Sequence, residues 1–278
     1  MKEILIALFC CVLFFSCNDS AGLIGMTENE LSKENLYEEA LDKSVIVEHG
    51  ESYLLTRIPG IVVAGKDVLL CYYEARKSGS DWAEIDLLCR RSSDYGQTWN
   101  SFSLANHTDE HKTLNNPVMI AGKGNDVFFL YCEDYMINGG ALKLRKSSDA
   151  GASWSEPEDI SYATDVKKHD VFAIGPGHGI YTSNGILAVP CWYVPKGAGM
   201  LIMSHHPSNI AILYSADYGT TWHISDDIVI ANGIVDPSEA SICETSDGSF
   251  YKQHTDNQRR IQSYCTGEKY HRLGSCGI

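Results

Sequence analysis

The chain has no Cys-x-x-Cys pair and no His-rich spacing, so its ligand order supports no zinc site, and no metal or other cofactor is expected. It is short of basic side chains, with 22 Lys and Arg against 36 Asp and Glu. A surface of that sign repels phosphate backbones, which argues against nucleic acid as a partner. Long apolar runs are missing too. The one candidate, MKEILIALFCCVLFFSC at the N-terminus, is too short to span a bilayer comfortably and reads as an export signal. The Gly-rich stretch GPGHGIYTSNG around His178 does not follow the order strand, Gly loop, helix, so it is not a nucleotide cradle. His205 and His206 are adjacent, and neighbours on an extended strand face opposite sides and do not easily share an ion.

What is present is a repeat. SSDYGQTW at Ser92 to Trp99 returns as SSDAGASW at Ser147 to Trp154 and as SADYGTTW at Ser215 to Trp222. Its chemistry is that of a rigid corner: the Asp turns back onto backbone N–H groups, the Gly supplies a positive φ, and the Trp closes against an apolar layer. Each copy follows a strand-like run (IDLLCRR, ALKLRK, NIAILY), and the copies begin 55 and then 68 residues apart. Mostly-strand units recurring at such distances predict the blades of an all-β propeller. The first blade has runs at Ile58 to Ala64 and Val68 to Tyr73 around a Gly-Lys-Asp turn. The second opens at NNPVMI, the third contains GHGIYTSNGILAVPCWYV, and the fourth shows only SEASICETSDGSFY.

The ends differ from the middle. Ser16-Cys17 resembles a bacterial lipoprotein cleavage site, with an ordinary signal cut elsewhere as the alternative. The expected layout is a signal at 1–17, an acidic tether at 18–45, a partial propeller at 46–250 and an atypical tail at 251–278. An exported protein follows, periplasmic or anchored to the outer membrane by a lipid on Cys17. The tail carries five basic and two acidic residues and shows no strand alternation after Phe250. Cys71, Cys89, Cys132, Cys191 and Cys243 sit singly in strand-like runs and are expected as buried thiols.

Arg57-Ile58-Pro59, then Glu74-Ala75-Arg76, Asp81 and Ile85-Asp86 ahead of the first corner resemble the N-terminal half of the exo-α-sialidases (neuraminidases) of glycoside hydrolase family 33. The repeated corner is similar to the Asp-box of those enzymes. The resemblance runs from about Arg57 to Phe250 and implies a six-bladed propeller of the sialidase type, with about four blades encoded here. It also implies hydrolysis of terminal α-linked sialic acids from glycoproteins, glycolipids and oligosaccharides by a retaining route, without a cofactor. Two other readings stay open. One is a non-catalytic Asp-box propeller that binds a glycan or a protein, and the other is a hydrolase of this fold acting on a different sugar.

Sialic acid bears a carboxylate on its anomeric carbon, and a guanidinium grips a carboxylate through two parallel hydrogen bonds. Arg57 matches one of the three family arginines that do this; the competing reading is a surface ion pair. Asp81 matches the acid/base Asp, although SGSDW is also an acceptable surface turn. Arg76 would line the pocket near Asp81, or pair structurally with Glu74 or Asp86. Asn116 falls where the family places a polar residue near the ring and its N-acyl arm, and an Asn before Pro also suits a strand start. Glu239 resembles the base that serves the family's tyrosine nucleophile, with a solvated turn carboxylate as the alternative. Glu244 reads as structural. After Asp247-Gly248 the family continues with an Asn-x-Arg strand; here the sequence is SFYKQHTDNQRR, and Arg259 and Arg260 are out of register. The third arginine and the nucleophile belong to later blades, while Tyr264 and Tyr270 lie in the tail. Charge balance, strand pattern and motif all change near Phe250, so the expectation is a truncated or frame-altered sialidase whose own turnover is compromised.

Overall fold

In a computed structural model, residues 44–266 are described except 49, 51, 138, 166, 199–204, 228–235, 247–249 and 256–260. Cys17 and residues 18–43, with the signal and tether expected there, lie outside the described residues. Among the described residues the strands belong to the compact unit Ile46–Ile278 and form four mainly antiparallel sheets, the blades of a β-propeller. Blade one is β1 (Leu55–Ala64), β2 (Val68–Arg76), β3 (Ile85–Ser92) and β4 (Asn100–Ala105), paired in that order. Blade two is β5 (Leu114–Ala121), β6 (Val127–Glu133), β7 (Leu142–Ser147) and β8 (Glu158–Asp159). Blade three is built from β9 (His169–Ile174), β10 (Gly177–His178), β11 (Ile180–Tyr181), β12 (Leu187–Pro195), β13 (Asn209–Ser215) and β14 (His223–Ile224). Its β10 departs to run parallel to β5 of blade two, with Gly177 opposite Val118.

The fourth blade corrects the sequence reading. Its β15 (Ala240–Glu244) pairs with β16 (Phe250–Thr255), and β16 with β17 (Ile261–Thr266), so the sheet runs through the stretch expected as an atypical tail. The reason is that polar residues such as Lys252, Gln253, His254 and Thr255 follow one another there, so the sequence carries no apolar period of two. Backbone pairing needs no such period. Cys243 is a second correction: it is exposed on β15, whereas Cys71, Cys89, Cys132 and Cys191 are buried.

The core lies between the first three blades, whose strands β2, β6 and β12 bury both faces. In β6 the run VFFLYC alternates, with Phe129 and Tyr131 joining Leu70, Tyr72 and Leu87 of blade one. Phe128, Leu130 and Cys132 join Leu187, Val189 and Leu213 of blade three. Tyr72 is fully buried and bolts three blades together: its hydroxyl accepts from the Met119 N–H at 3.1 Å and donates to the Gly177 carbonyl. Gly60 makes room for that ring, since a Cβ there would lie 2.2 Å from a ring carbon. Gly60→Ala is therefore expected to destabilise by about 1–3 kcal/mol through overpacking, read as a lower urea midpoint.

The three corners are built alike. Asp149 accepts the Ser153 N–H at 2.8 Å and its hydroxyl at 2.6 Å, and the Ser147 hydroxyl at 2.8 Å; Asp94 and Asp217 repeat the pattern with Thr98 and Thr221. These hydroxyls, assisted by backbone N–H groups, hold Asp94 and Asp149 down to about 2. At Asp217 burial opposes the shift, and the Thr221 bonds outweigh it to reach about 2 as well. A folded-state pKa below the ordinary 3.8 stabilises above 3.8 and loses that contribution as pH falls towards 2. Acid unfolding is thus expected to steepen in that window. Asp149→Asn should flatten the dependence of the urea midpoint on pH there.

Candidate active site

Four times along the chain, the residue before a proline takes left-handed backbone: Ile58 (φ 53°), Asn116 (φ 53°), Gly175 (φ 58°) and Asp236 (φ 54°). Each belongs to a different blade. A β-branched residue at positive φ is a genuine outlier, so Ile58 stores strain, and such strain gathers at functional sites. Around Ile58 and Asn116 the ladder slips, between Arg57 and Gly60 and between Asn115 and Val118, which re-aims the strand as a bulge does. Arg57, Ile58, Pro59, Pro176 and Gly177 line an open depression there.

The charged groups converge at this place. Glu74 and Arg76 are two apart on β2 and so share a face. Arg76 is 1% exposed and Glu74 not at all. The Arg76 guanidinium donates to Glu74 from Nε at 2.7 Å and pairs through Nη2 at 2.5 Å, then extends Nη1 to Asp81 Oδ1 at 2.6 Å. Arg57 Nη1 reaches the same Asp81 oxygen at 3.2 Å. About half of each of the Arg57 and Asp81 side chains faces solvent, so Arg57 keeps N–H groups available to an anion. Burial pushes the Glu74 carboxyl up, opposed by the Arg76 charge and by the Asn116 N–H donated at 2.8 Å.

Glu239 enters from the fourth blade, just before β15. It is exposed, and partial desolvation raises the pKa of its carboxyl. The Asp81 charge adds to the rise, and Arg57 and Arg76 oppose it. Arg57, Arg76, Asp81 and Glu239 thus share one electrostatic site. Asn116 lies beneath it, 5% exposed, with its side-chain amide donating to the Ile174 carbonyl at 2.9 Å. There it joins the bulge of blade two to Glu74. Glu244 ties β15 to blade three, accepting the Ser183 N–H at 2.8 Å, and Asp86 is engaged by Tyr53 at 2.5 Å and His107 at 2.6 Å rather than by Arg76.

Two features go further than the sequence reading. Glu74, offered there as one alternative partner of Arg76, is the hub that fixes it, and the signal is a charged pair at i and i+2 inside a buried strand. The second is an aromatic block beside Asp81: Trp82, Tyr135, Trp192 and His205, with centroids 4.7 Å apart for Tyr135 and His205 and 4.8 Å for Trp82 and Tyr135. Tyr135 carries no motif to betray it.

The family described as "BNR repeat-like domain" matches residues 58–269. Sialidase-3 of Mus musculus is 30% identical over 205 residues, covering 66% of this chain and 49% of that protein. The sialidase of Bacteroides fragilis is 26% identical over 228 residues, covering 73% and 40%. The chain therefore spans half or less of the length of these relatives. Among solved structures, the Hadza microbial sialidase Hz136 superposes with a TM-score of 0.64 at 23% identity, covering 76% of this chain and 45% of that one. Trypanosoma rangeli sialidase, in complex with 2,3-difluorosialic acid as a covalent intermediate, gives 0.63 at 21% identity, covering 77% and 36%. The blades, the three shared corners and the match from 58 to 269 place the chain in the BNR repeat-like domain family, alongside sialidases.

Proposed function

We propose that the protein is an exo-α-sialidase that hydrolyses terminal α-linked sialic acids of glycoproteins, glycolipids and oligosaccharides. The observation that carries this reading is the contact of a half-exposed Arg57 with Asp81, within the field of Glu239. Arg57 exchanges its bond to Asp81 for a two-point grip on the sugar carboxylate, which fixes the anomeric carbon beside the acid. Asp81 then donates its proton to the leaving glycosidic oxygen. A tyrosine oxygen, which none of the assigned residues supplies, bonds to the anomeric carbon as that C–O bond breaks, and Glu239 takes the phenol proton. A neutral phenol avoids the repulsion that a carboxylate nucleophile would meet at a carbon already bearing a carboxylate. In the second half, Asp81 removes a proton from water, whose oxygen bonds to the anomeric carbon as the bond to tyrosine breaks; the departing phenolate regains its proton from Glu239, and the starting configuration is restored. The covalent intermediate named for the Trypanosoma rangeli enzyme supports this retaining route.

Export as a lipoprotein anchored through Cys17 belongs to the same proposal, supported by Lys2, the apolar run and Ser16-Cys17. The test of function is release of a fluorescent aglycone from an α-sialoside by the full chain. Turnover that Asp81→Ala lowers supports the reading. Binding of sialic acid without any turnover leaves a glycan-binding propeller instead.

A further inference from the structure

Asp134, Tyr135 and Met136 form a turn in which three successive non-glycine residues are left-handed, with φ of 47°, 52° and 59°. Each such residue costs roughly 1–2 kcal/mol, and only Asp among them tolerates the conformation well. A strained turn of this kind persists only when its surroundings over-determine it. They do so here. Asp134 accepts the Thr113 N–H at 3.0 Å and meets His111 Nδ1 at 2.9 Å, while its own N–H donates to the Thr113 carbonyl at 2.8 Å. The Tyr135 N–H donates to Asn115 Oδ1 at 3.2 Å, and the turn closes from the Ile137 N–H to the Asp134 carbonyl at 3.0 Å.

The product of that strain is the position of one ring. Tyr135 is 3% exposed, so it is not an attacking phenol. Its ring lies 4.8 Å from Trp82 and 4.7 Å from His205, with Trp192 behind at 6.1 Å. His205, on blade three, is itself left-handed at φ 62°. Two strained residues from two blades therefore close on Trp82, the neighbour of Asp81.

The turn that carries Asp81 has few bonds of its own. Its internal ties are Trp82 N–H to Ser80 Oγ at 3.1 Å, Ser80 N–H to Ser78 Oγ at 3.4 Å, Ala83 N–H to the Ser80 carbonyl at 3.2 Å and Lys77 N–H to the Glu84 carbonyl at 3.0 Å, with Arg76 Nη1 reaching the Ser80 carbonyl at 3.5 Å from β2. The Trp82 ring is its packed side chain, joining the cluster of Tyr135, Trp192 and Val194. We infer that Tyr135 is a positioning residue: its ring is the anvil against which Trp82 seats, and that seating holds the Asp81 carboxyl where Arg57 and Arg76 meet it. The consequence for turnover rests on the sialidase reading, whereas the order of the turn does not.

Hydrogen exchange on the full chain separates the two, comparing wild type, Tyr135→Phe and Tyr135→Ala, with β6 amides as the control for folding. Tyr135→Phe keeps the ring and should exchange like wild type. Tyr135→Ala should speed exchange of the Trp82, Ala83 and Ile85 amides by about tenfold while β6 stays protected, as expected for a local opening. Turnover should fall in kcat with KM little changed, and the Phe variant should restore it. Unchanged protection at residues 82–85 in a folded Tyr135→Ala protein overturns the inference. Should that variant lose β6 protection, Tyr135→Leu decides by the same comparison. A wild-type chain without sialoside turnover removes the sialidase reading alone, and the exchange result still settles the role of Tyr135.

Discussion

Asp81→Ala should lower turnover of an α-sialoside by roughly 10²–10⁴-fold, the usual worth of a general acid, with a smaller change in KM. The size of the loss should depend on the leaving group. An aryl alcohol leaves as a stabilised anion and needs little protonation, so the aryl sialoside should suffer least. A sugar hydroxyl is a poor leaving group without a proton, so a natural sialoside should suffer most. Asp81→Asn separates charge from shape. It can still accept the 2.6 Å hydrogen bond from Arg76 Nη1, but it has no proton to deliver. Equal loss for both classes of leaving group would show that Asp81 acts through the two arginines and not as an acid. The comparison needs only kcat on two substrates for wild type and the two variants.

Ser92, Asp94, Gly96 and Trp99 and their two repeats carried the architecture in the sequence, because a corner is made by residues close in the chain. Local hydrogen bonds leave local signals. Arg57, Asp81 and Glu239 could be ordered along the chain, but their meeting depends on blade one facing the start of β15, a relation no spacing encodes. Glu74, readable only as an alternative partner of Arg76, shows why the rest stayed out of reach. Its partners are Arg76 at i+2 and the Asn116 backbone 42 residues on, and the second exists only because the strand bulges at Asn116. The bulges at Ile58 and Asn116 have a weak local mark, the proline that follows each, yet proline normally drives its predecessor to extended backbone, so the mark points away from the left-handed geometry found. Tyr135 likewise owes its position to a turn whose sequence contains no glycine. The strands β16 and β17 were missed for a different reason: pairing a polar strand takes a neighbour with free backbone groups, and alternation of apolar residues is not required.

Glu74→Ala should be among the most destabilising single changes in the blades, at about 3–5 kcal/mol, because it strands the Arg76 guanidinium in a buried site. It also leaves the Asn116 N–H without its acceptor. Arg76→Met should cost a similar amount by stranding Glu74 instead. The double variant Glu74→Leu/Arg76→Met removes both charges at comparable volume, so it should recover most of the loss, ending below wild type by about 1–3 kcal/mol for the Asn116 N–H left without its acceptor. Stability and function should then part company. The double variant folds but offers Asp81 no Nη1 donor from below, leaving Arg57 alone to hold the acid while also being needed by the sugar carboxylate. Denaturant midpoints for wild type, the single variants Glu74→Leu and Arg76→Met and the double variant give a double-mutant cycle, and a coupling near zero would mean that the pair is solvated and not the buried hub described. If the double variant is stable and still turns over sialosides like wild type, Arg76 contributes only to folding. If it is stable and inactive, the buried pair exists to orient Asp81, and the conformational strain at Asn116 has its explanation in the hydrogen bond that Asn116 gives to Glu74.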